Sequence, residues 1–424
     1  MAGHFESELC QVLLEEHFGK TVSAVGAALL REAGPLPAIM LRLRGQVKLN
    51  TVRKSLAILI QHSIVSFKLD SAMRTFYSID RSSILAFCKA PRCCLIVKTL
   101  YGGLAEAICE ELFSYGRLTC SDCIRKVSQR LEQPLNDKFV RLTESQFIIK
   151  CPPVASSLKG CPQFETSYDP YIMPEVILQG SPDDAGESRK RKQPQPEGDE
   201  GIYWRMNWMR FDRYIRDEMT LDLLVPKVGW WSDLEFAIKP AKASQTLTRT
   251  VRSLLKANEI RTLPLTTINT LFDIMRCVKE NELELERPDV EKALRVLVDE
   301  SRGVVRKSGD SGGGLFVIDF ERAVEQICQF HIESLIREQL ESRAVRIFRL
   351  LQQRGHLEED QIEKLTMMSG KETRELLYAM LEEGYVSTKP IGRTNDFAPA
   401  RTFVLYYVDM PQTVRGLVEY TCKV

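Results

Sequence analysis

The sequence predicts a mainly α fold with short β-hairpins, an α+β architecture made of small repeated domains. Three observations lead there. First, a helical segment followed by a β-prone pair occurs four times, as RKSLAILIQHSIVSF (53–67), KFVRLTESQFIIKC (138–151), EKALRVLVDESRGVVRK (291–307) and TRELLYAMLEEGYVSTK (373–389). Second, apolar positions three and four apart make the left half of each copy an amphipathic helix, and the right half switches to strand chemistry. Third, Leu59, Leu142, Leu297 and Leu381 occupy equivalent places, at intervals of 83, 155 and 84 residues. That interval is the size of a domain, well above the roughly 20 to 50 residues of a solenoid repeat.

Each copy has similar surroundings. VLLEEHFG and TVSAVGAALLRE, both helical, come before the first, followed by PAIMLRLRG, with Asn50 placed to cap the next helix. IVSFKLD and TFYSID, joined by a polar SAMR turn, then read as two short strands. Around the fourth copy the order is VRIFRLLQQRG, DQIEKLTMM and Ser369, with YVSTKP and RTFVLYYV as strands. Helix, helix-turn-helix and hairpin wing make up the winged-helix plan, and four such domains are expected in tandem, at 1–80, 81–151, 202–320 and 321–410. Between the second and third, residues 152–201 open on Pro152-Pro153 and include GSPDDAGESRKRKQPQPEGDEG. This stretch has almost no apolar periodicity and reads as a disordered linker. Residues 411–424 start one more helix.

Bulk properties agree with a folded protein that works inside the cell. The chain has 424 residues, too many for one ordinary core, and 44% hydrophobic with 27% charged residues is a soluble composition. No apolar run nears the roughly 18 residues of a membrane span, and MAGHFESELC lacks the basic and apolar regions of a signal peptide. The twelve cysteines are irregularly spaced, which suits free buried thiols in a reducing compartment better than a disulfide framework. A net charge of +1 conceals an asymmetry: residues 1–100 carry +6 and the remainder −5. The N-terminal quarter is therefore where a polyanion would bind.

Within that quarter, no acidic residue falls between Glu32 and Asp70, whereas Arg42, Arg44, Lys48, Arg53, Lys54 and Lys68 fall on the predicted helix-turn-helix and wing. Cations on the last helix of a winged helix neutralise phosphates and release counterions, so these six are the candidate DNA-binding residues. The matching helices of the third and fourth copies carry Asp289, Glu291, Asp299, Glu300, Glu372, Glu375, Glu382 and Glu383, which suit protein contacts. Inside the linker, Arg189, Lys190, Arg191 and Lys192 read as a nuclear localisation signal.

Three other stretches suggest chemistry and have plainer explanations. KSGDSGGGL (307–315) contains nearly the loop that carries the nucleophile of chymotrypsin-like proteases. A nucleophilic Ser311 would need a histidine base, and none of His4, His17, His62, His331 and His356 lies in a catalytic motif. GVVRK and LFVID flank it as strands, so a glycine-rich wing turn is expected, with Gly309, Gly312, Gly313 and Gly314 supplying backbone freedom. Cys120-Ser-Asp-Cys123 is a lone CxxC without a second pair or nearby histidine, and buried cysteines are expected there. In GIYWRMNWMRFDRYIRDEM, residues Trp204, Trp208, Phe211 and Ile215 recur at helical spacing, a core stripe with Arg205, Arg210, Arg213 and Arg216 solvated around it rather than a base-stacking platform.

YGGLAEAICEELFSYGRLTCSDCIRKV, GIYWRMNWMRFDRYIRD, KSGDSGGGLFVID, SRAVRIFRLLQQRGHLEEDQIEKLTMMSGKETRELLYAMLEEGYVS and APARTFVLYYV resemble an RNA polymerase III subunit family built from tandem extended winged helices. This family is the large member of a three-subunit initiation subcomplex and is related to the alpha subunit of general transcription factor E. The resemblance runs from about residue 5 to residue 410. It implies a nuclear, non-catalytic subunit without cofactor or metal, seated on the clamp of the polymerase's largest subunit beside the two other subcomplex subunits. There it would help to open promoter DNA, in contact with single or double strands and with no membrane. It also implies a link to cytosolic DNA sensing in innate immunity, hence a cytosolic pool. Within the family, KSGDSGGG has no protease activity. Two departures stand out: the family's C-terminal coiled coil is missing beyond the start of its helix at 411–424, and EQPLNDK (132–138) is short, which implies a cropped repeat helix in the second domain. A free-standing winged-helix transcription regulator is the alternative reading.

Overall fold

One Asx residue joins each wing to the helix that follows it, and this joint recurs four times. Asp80, Asp319 and Asp409 accept at a side-chain oxygen from the backbone N–H of Ser82, Arg322 and Gln412, capping helices. Asn207 occupies the same place: its own N–H reaches Phe147 O at 2.9 Å, as that of Asp80 reaches Ile64 O and that of Asp319 reaches Val304 O. Consecutive modules thus follow one another through a single residue. The structure, a computed structural model, describes residues 3–69, 74–131, 136–158, 161–165, 167–173, 199, 201–224, 248, 250–252, 254–255, 268–280, 287–392 and 402–423. Most of the SAMR turn, part of EQPLNDK and the basic run at 189–192 lie outside these. Two compact units are present, Met1–Asp212 and Arg213–Val424. The fold is helical with small antiparallel sheets, as its winged-helix patterning predicts.

In the first unit, helices α1 (His4–Phe18) and α2 (Lys20–Arg31) lead into strand β1 (Gly34–Pro35), α3 (Leu36–Arg42), α4 (Leu49–Gln61), β2 (Val65–Leu69) and β3 (Thr75–Ile79). The sheet order is β1-β3-β2. Leu29, Ile39, Val52, Leu56, Leu59 and Val65 share one core. Each such side chain, fully buried, contributes about 1.5–3 kcal/mol relative to exposure. Past α4, Ser63 takes a left-handed conformation (φ 60°) and Ile64 N–H closes on Leu59 O at 2.9 Å, turning the chain into the wing. Asn50 does not cap α4. Lys48 holds the N-cap position without a side-chain bond, and Asn50 lies inside the first turn.

The second module comprises α5 (Arg81–Tyr101), α6 (Gly103–Tyr115), α7 (Cys120–Leu131), α8 (Asn136–Glu144) and β4 (Ile148–Lys150). Its wing differs from the expected plan. After β5 (Val154–Leu158) and β6 (Cys161–Phe164), which pair with each other, the partner of β4 is β7 (Trp204–Met206), in register Ile148↔Met206. Leu118 bridges Trp204 as Gly34 bridges Tyr77 in the first module. The stretch that reads as a linker is therefore inserted within the second wing, and residues 202–206 close that wing. Strands β5 and β6 occupy part of the expected disordered stretch because their apolar contact comes from outside it: the Phe164 ring lies 5.9 Å from Phe67 of β2. Helix α8 has nine residues against 13 in α4, consistent with the short EQPLNDK.

Trp204 belongs to this strand rather than to the helical stripe, fully buried with its ring 5.6 Å from Phe139. Trp208 and Phe211 begin α9 (Trp208–Leu224). Its arginines are not simply solvated. Arg210 is buried, donates from Nε to Ser145 O at 3.2 Å and lies over the Phe147 ring. In the second unit, Arg216 stacks 3.7 Å from the Phe320 ring centre and pairs with Asp217.

The second unit contains β8 (Asn269–Thr270), α10 (Leu271–Glu280), α11 (Arg287–Glu300), β9 (Val305–Gly309) and β10 (Leu315–Ile318), with sheet order β8-β10-β9. Helix α12 (Phe320–Arg354) breaks at Glu341 (φ 70°, ψ 174°). Then come α13 (Glu359–Thr366), α14 (Gly370–Glu382), β11 (Ser387–Gly392), β12 (Thr402–Tyr407) and α15 (Met410–Lys423), whose Val414 and Leu417 pack on the fourth module's core. Ser369 caps α14 by accepting from Glu372 N–H. In this last repeat the position equivalent to Leu59 is held by Met380, not Leu381. Tyr385 N–H closes on Met380 O, and Met380 is fully buried while Leu381 is 36% exposed.

Candidate nucleic-acid interface

The basic residues of the first module occupy three consecutive elements. Arg44 sits in the turn after α3 in a left-handed conformation (φ 48°), next to Gly45 (φ 75°), a tight reversal that leaves its side chain exposed. Lys48 precedes α4, Arg53 and Lys54 stand on the exposed side of α4, and Lys68 is on the outward face of β2. Among the described residues, none of these five makes an ion pair. Burial of Val52, Ser55, Leu56 and Leu59 fixes which side of α4 faces out, so helical periodicity alone positions Arg53 and Lys54. Arg53 also lies close enough to Tyr77 on β3 to oppose the rise in its phenol pKa, which burial chiefly causes and nearby Cys161 adds to.

Arg42 stands apart from the other five. Its guanidinium reaches Glu32 Oε2 at 2.6 Å and the backbone carbonyls of Ala28 and Glu32. A cation on the free carbonyls at the end of α2 caps that helix, so Arg42 holds α3 against α2. Sequence reading gave Asn50 only a capping role, although it is exposed in the first turn of α4, and passed over Leu41, 80% exposed at the end of α3. Asn50 could have been found from its place one turn ahead of Arg53 and Lys54.

The corresponding acidic helices differ in charge and in pairing. On α14, Glu372 pairs with Arg343 and Glu375 with Lys371; on α11, Glu291 pairs with Arg287 at 2.8 Å. Asp289, Asp299, Glu300, Glu382 and Glu383 add further negative charge to these two helices.

Between the first two modules, the end of α4 is clamped. Gln61 Nε2 donates to Tyr115 O at 2.8 Å and Arg117 Nη2 to Ser63 Oγ at 3.1 Å. A Cβ on Gly116 would lie 2.7 Å from Gln61 O, so only glycine permits this approach. His62 packs here with its ring 4.7 Å from Phe18, and burial, then His17 and Arg117, push its pKa down to about 4. Helix α4 is thereby held at its far end.

The remaining candidates sort out by geometry. Ser311 lies in a single 3-10 turn joining β9 to β10, and among the described residues no histidine hydrogen-bonds it. Gly313 (φ 90°) and Gly314 (φ 120°) need the left-handed region, whereas Gly309 does not. Cys120 and Cys123 are buried thiols whose pKa burial pushes up, that of Cys123 to about 12, and Cys123 Sγ faces Ile108 O at 3.9 Å. Burial overrides the helix N-terminus that would favour a thiolate. No group of three or more His, Cys, Asp or Glu able to hold a metal occurs among the described residues.

Comparison with known proteins finds three family models that match the chain. Residues 8–70 match the RNA polymerase III subunit RPC82 helix-turn-helix domain, 161–327 match RNA polymerase III subunit RPC82, and 332–408 match the POLR3C C-terminal winged-helix domain. The chain is 32% identical over 454 residues to the DNA-directed RNA polymerase III subunit RPC3 of Homo sapiens, covering 99% of this chain and 82% of that one. It is 33% identical over 459 residues to the subunit of the same name from Danio rerio, with the same coverage.

Proposed function

The chain belongs to the family of RNA polymerase III subunit RPC3, and from that premise we propose that it is a non-catalytic, nuclear subunit of that polymerase acting in transcription initiation, with its first module against promoter DNA. The observation that carries this reading is the set of five exposed cations, Arg44, Lys48, Arg53, Lys54 and Lys68, with no ion pair among the described residues. Cations left unpaired on a reading helix, its turn and its wing are available to phosphates, and neutralising each phosphate releases counterions. Asn50 on the same helix is of a type that pairs with adenine edges. Helices α11 and α14 each carry a net charge of −1 against +2 on α4, a poor match to a phosphate backbone, which favours protein neighbours for those modules: the polymerase core at the clamp of its largest subunit and the two other subunits of the initiation subcomplex.

The test is an Arg53→Gln/Lys54→Gln double variant. It should co-purify with the polymerase at the level of the parent chain. Its promoter-DNA affinity should be weaker, with the slope of log K against log salt shallower by about two. Failure of the parent chain to recover polymerase would sink the proposal, and tight binding of the isolated chain to one duplex sequence would favour a free-standing regulator instead.

A further inference from the structure

The fourth module contains a groove that the DNA-facing reading leaves unused. Its volume is about 430 Å³, and it runs along one side of the second half of α12 up to the end of α13. Three of its lining residues are arginines, Arg337, Arg346 and Arg349, while none is acidic and none aromatic. Val345, Leu350 and Leu365 supply an apolar wall, and Leu365 is 50% exposed.

The arginines are held to different degrees. Arg349 Nη2 bonds to Glu333 Oε2 at 2.6 Å, and Glu333 is itself buried and accepts from Gln329 Nε2. One guanidinium is thus aimed by a carboxylate behind it, which offsets a single charge of the three. Arg346 donates to Thr366 O at 3.2 Å, tying α12 to the end of α13 and keeping the groove in shape. Arg337 is exposed and has no ion pair among the described residues. The groove therefore keeps a net positive charge, carried by guanidinium groups, the side chains suited to planar, bidentate acceptors.

Two classes of anion carry such acceptors, phosphodiesters and carboxylates. A nucleic-acid backbone would use the arginines but leave the half-exposed Leu365 without a partner, and no aromatic ring is present to stack a base. A peptide with carboxylates flanking one aliphatic side chain satisfies both halves of the lining. The volume also falls in the range of about 300–1,000 Å³ usual for sites that bury a few side-chain-sized groups. We infer that this groove is a docking site for an acidic peptide segment of a partner protein, anchored by one aliphatic side chain against Leu365 and by carboxylates on Arg337 and Arg349. The site is separate from the basic residues of the first module and does not depend on their role.

The experiment uses the full chain and a fluorescently labelled synthetic peptide of alternating Glu and Asp with one central Leu, followed by anisotropy. Binding should saturate. Arg337→Glu should weaken it about tenfold and Leu365→Ser about fivefold, with thermal unfolding unchanged because both side chains are exposed. Replacing the peptide's Leu by Ser should cost the parent chain what Leu365→Ser costs. No saturation below about 1 mM peptide would overturn the proposal. So would competition by a short oligothymidylate that Arg337→Glu abolishes and Leu365→Ser leaves untouched, because the groove would then be a phosphate site.

Discussion

Glu341 shows what one residue's backbone can cost. Gly19 (φ 82°, ψ 167°) and Gly102 (φ 89°, ψ 175°) break the leading helices of the first and second modules in a region of conformational space that is essentially reserved for glycine. In the fourth module the same break falls on Glu341 at φ 70°, ψ 174°. Its side chain is exposed, so Glu341→Gly should stabilise the chain by about 1 kcal/mol in denaturant unfolding, strain relief outweighing the entropy glycine adds to the unfolded state. The repeat register makes a second prediction. Met380→Ala should cost about 2–5 kcal/mol and Leu381→Ala less than about 1 kcal/mol, because one position along a helix turns a side chain through roughly 100°. Sequence alone offered two adjacent apolar residues and no way to choose between them, whereas the spacing of the other copies picked out Leu59, Leu142 and Leu297, all of them buried, even with Ile58, Ile60, Val296 and Val298 alongside. Arg42 was misjudged for a similar reason: its partner, Glu32, is the residue that bounds the acid-free stretch. His62 gives a pH dependence. Its folded pKa of about 4 lies below the usual 6.5, so the unfolded chain takes up the proton first. The His62 contribution to the stability of the first unit should be constant above about pH 6.5 and fall as pH drops toward 4, and His62→Gln should flatten that slope in equilibrium unfolding monitored across this range.

At the scale of elements, each wing is closed by its last strand, and in the second module that strand arrives late. Strand β7 is three residues long and directly precedes α9, so the apolar spacing of Trp204, Trp208 and Phe211 mimics a helix. A three-residue strand has too few positions for a period of two to register, and its partner β4 lies more than fifty residues back. The hairpin β5–β6 was hidden for a different reason, since its apolar neighbour Phe67 belongs to another module. By contrast, α4, α11, α14 and the hairpins β2–β3 and β11–β12 were legible because their apolar spacing is local. Trp204→Ala should cost about 3–5 kcal/mol and should speed amide exchange at Ile148–Lys150. Faster exchange confined to α9 would mean that Trp204 serves the helix and not the wing.

For the whole molecule, the repeated joint through Asp80, Asn207, Asp319 and Asp409 strings similar modules together, and charge then distinguishes them. The first carries cations with no ion pair among the described residues in the turn before α4, on α4 and on the wing, and the last two carry acidic residues on the matching helices. This division was visible in the charge pattern. What was not visible is the groove beside α12, which needs Arg337, Arg346, Arg349 and Leu365 brought together from two helices. Site-specific photo-cross-linking in assembled polymerase III on promoter DNA tests the division of labour most directly, with a photoreactive amino acid in place of Lys54 in one chain and of Glu382 in another. Position 54 should label DNA and position 382 should label protein. Labelling of protein alone from position 54, together with DNA from position 382, would contradict that division.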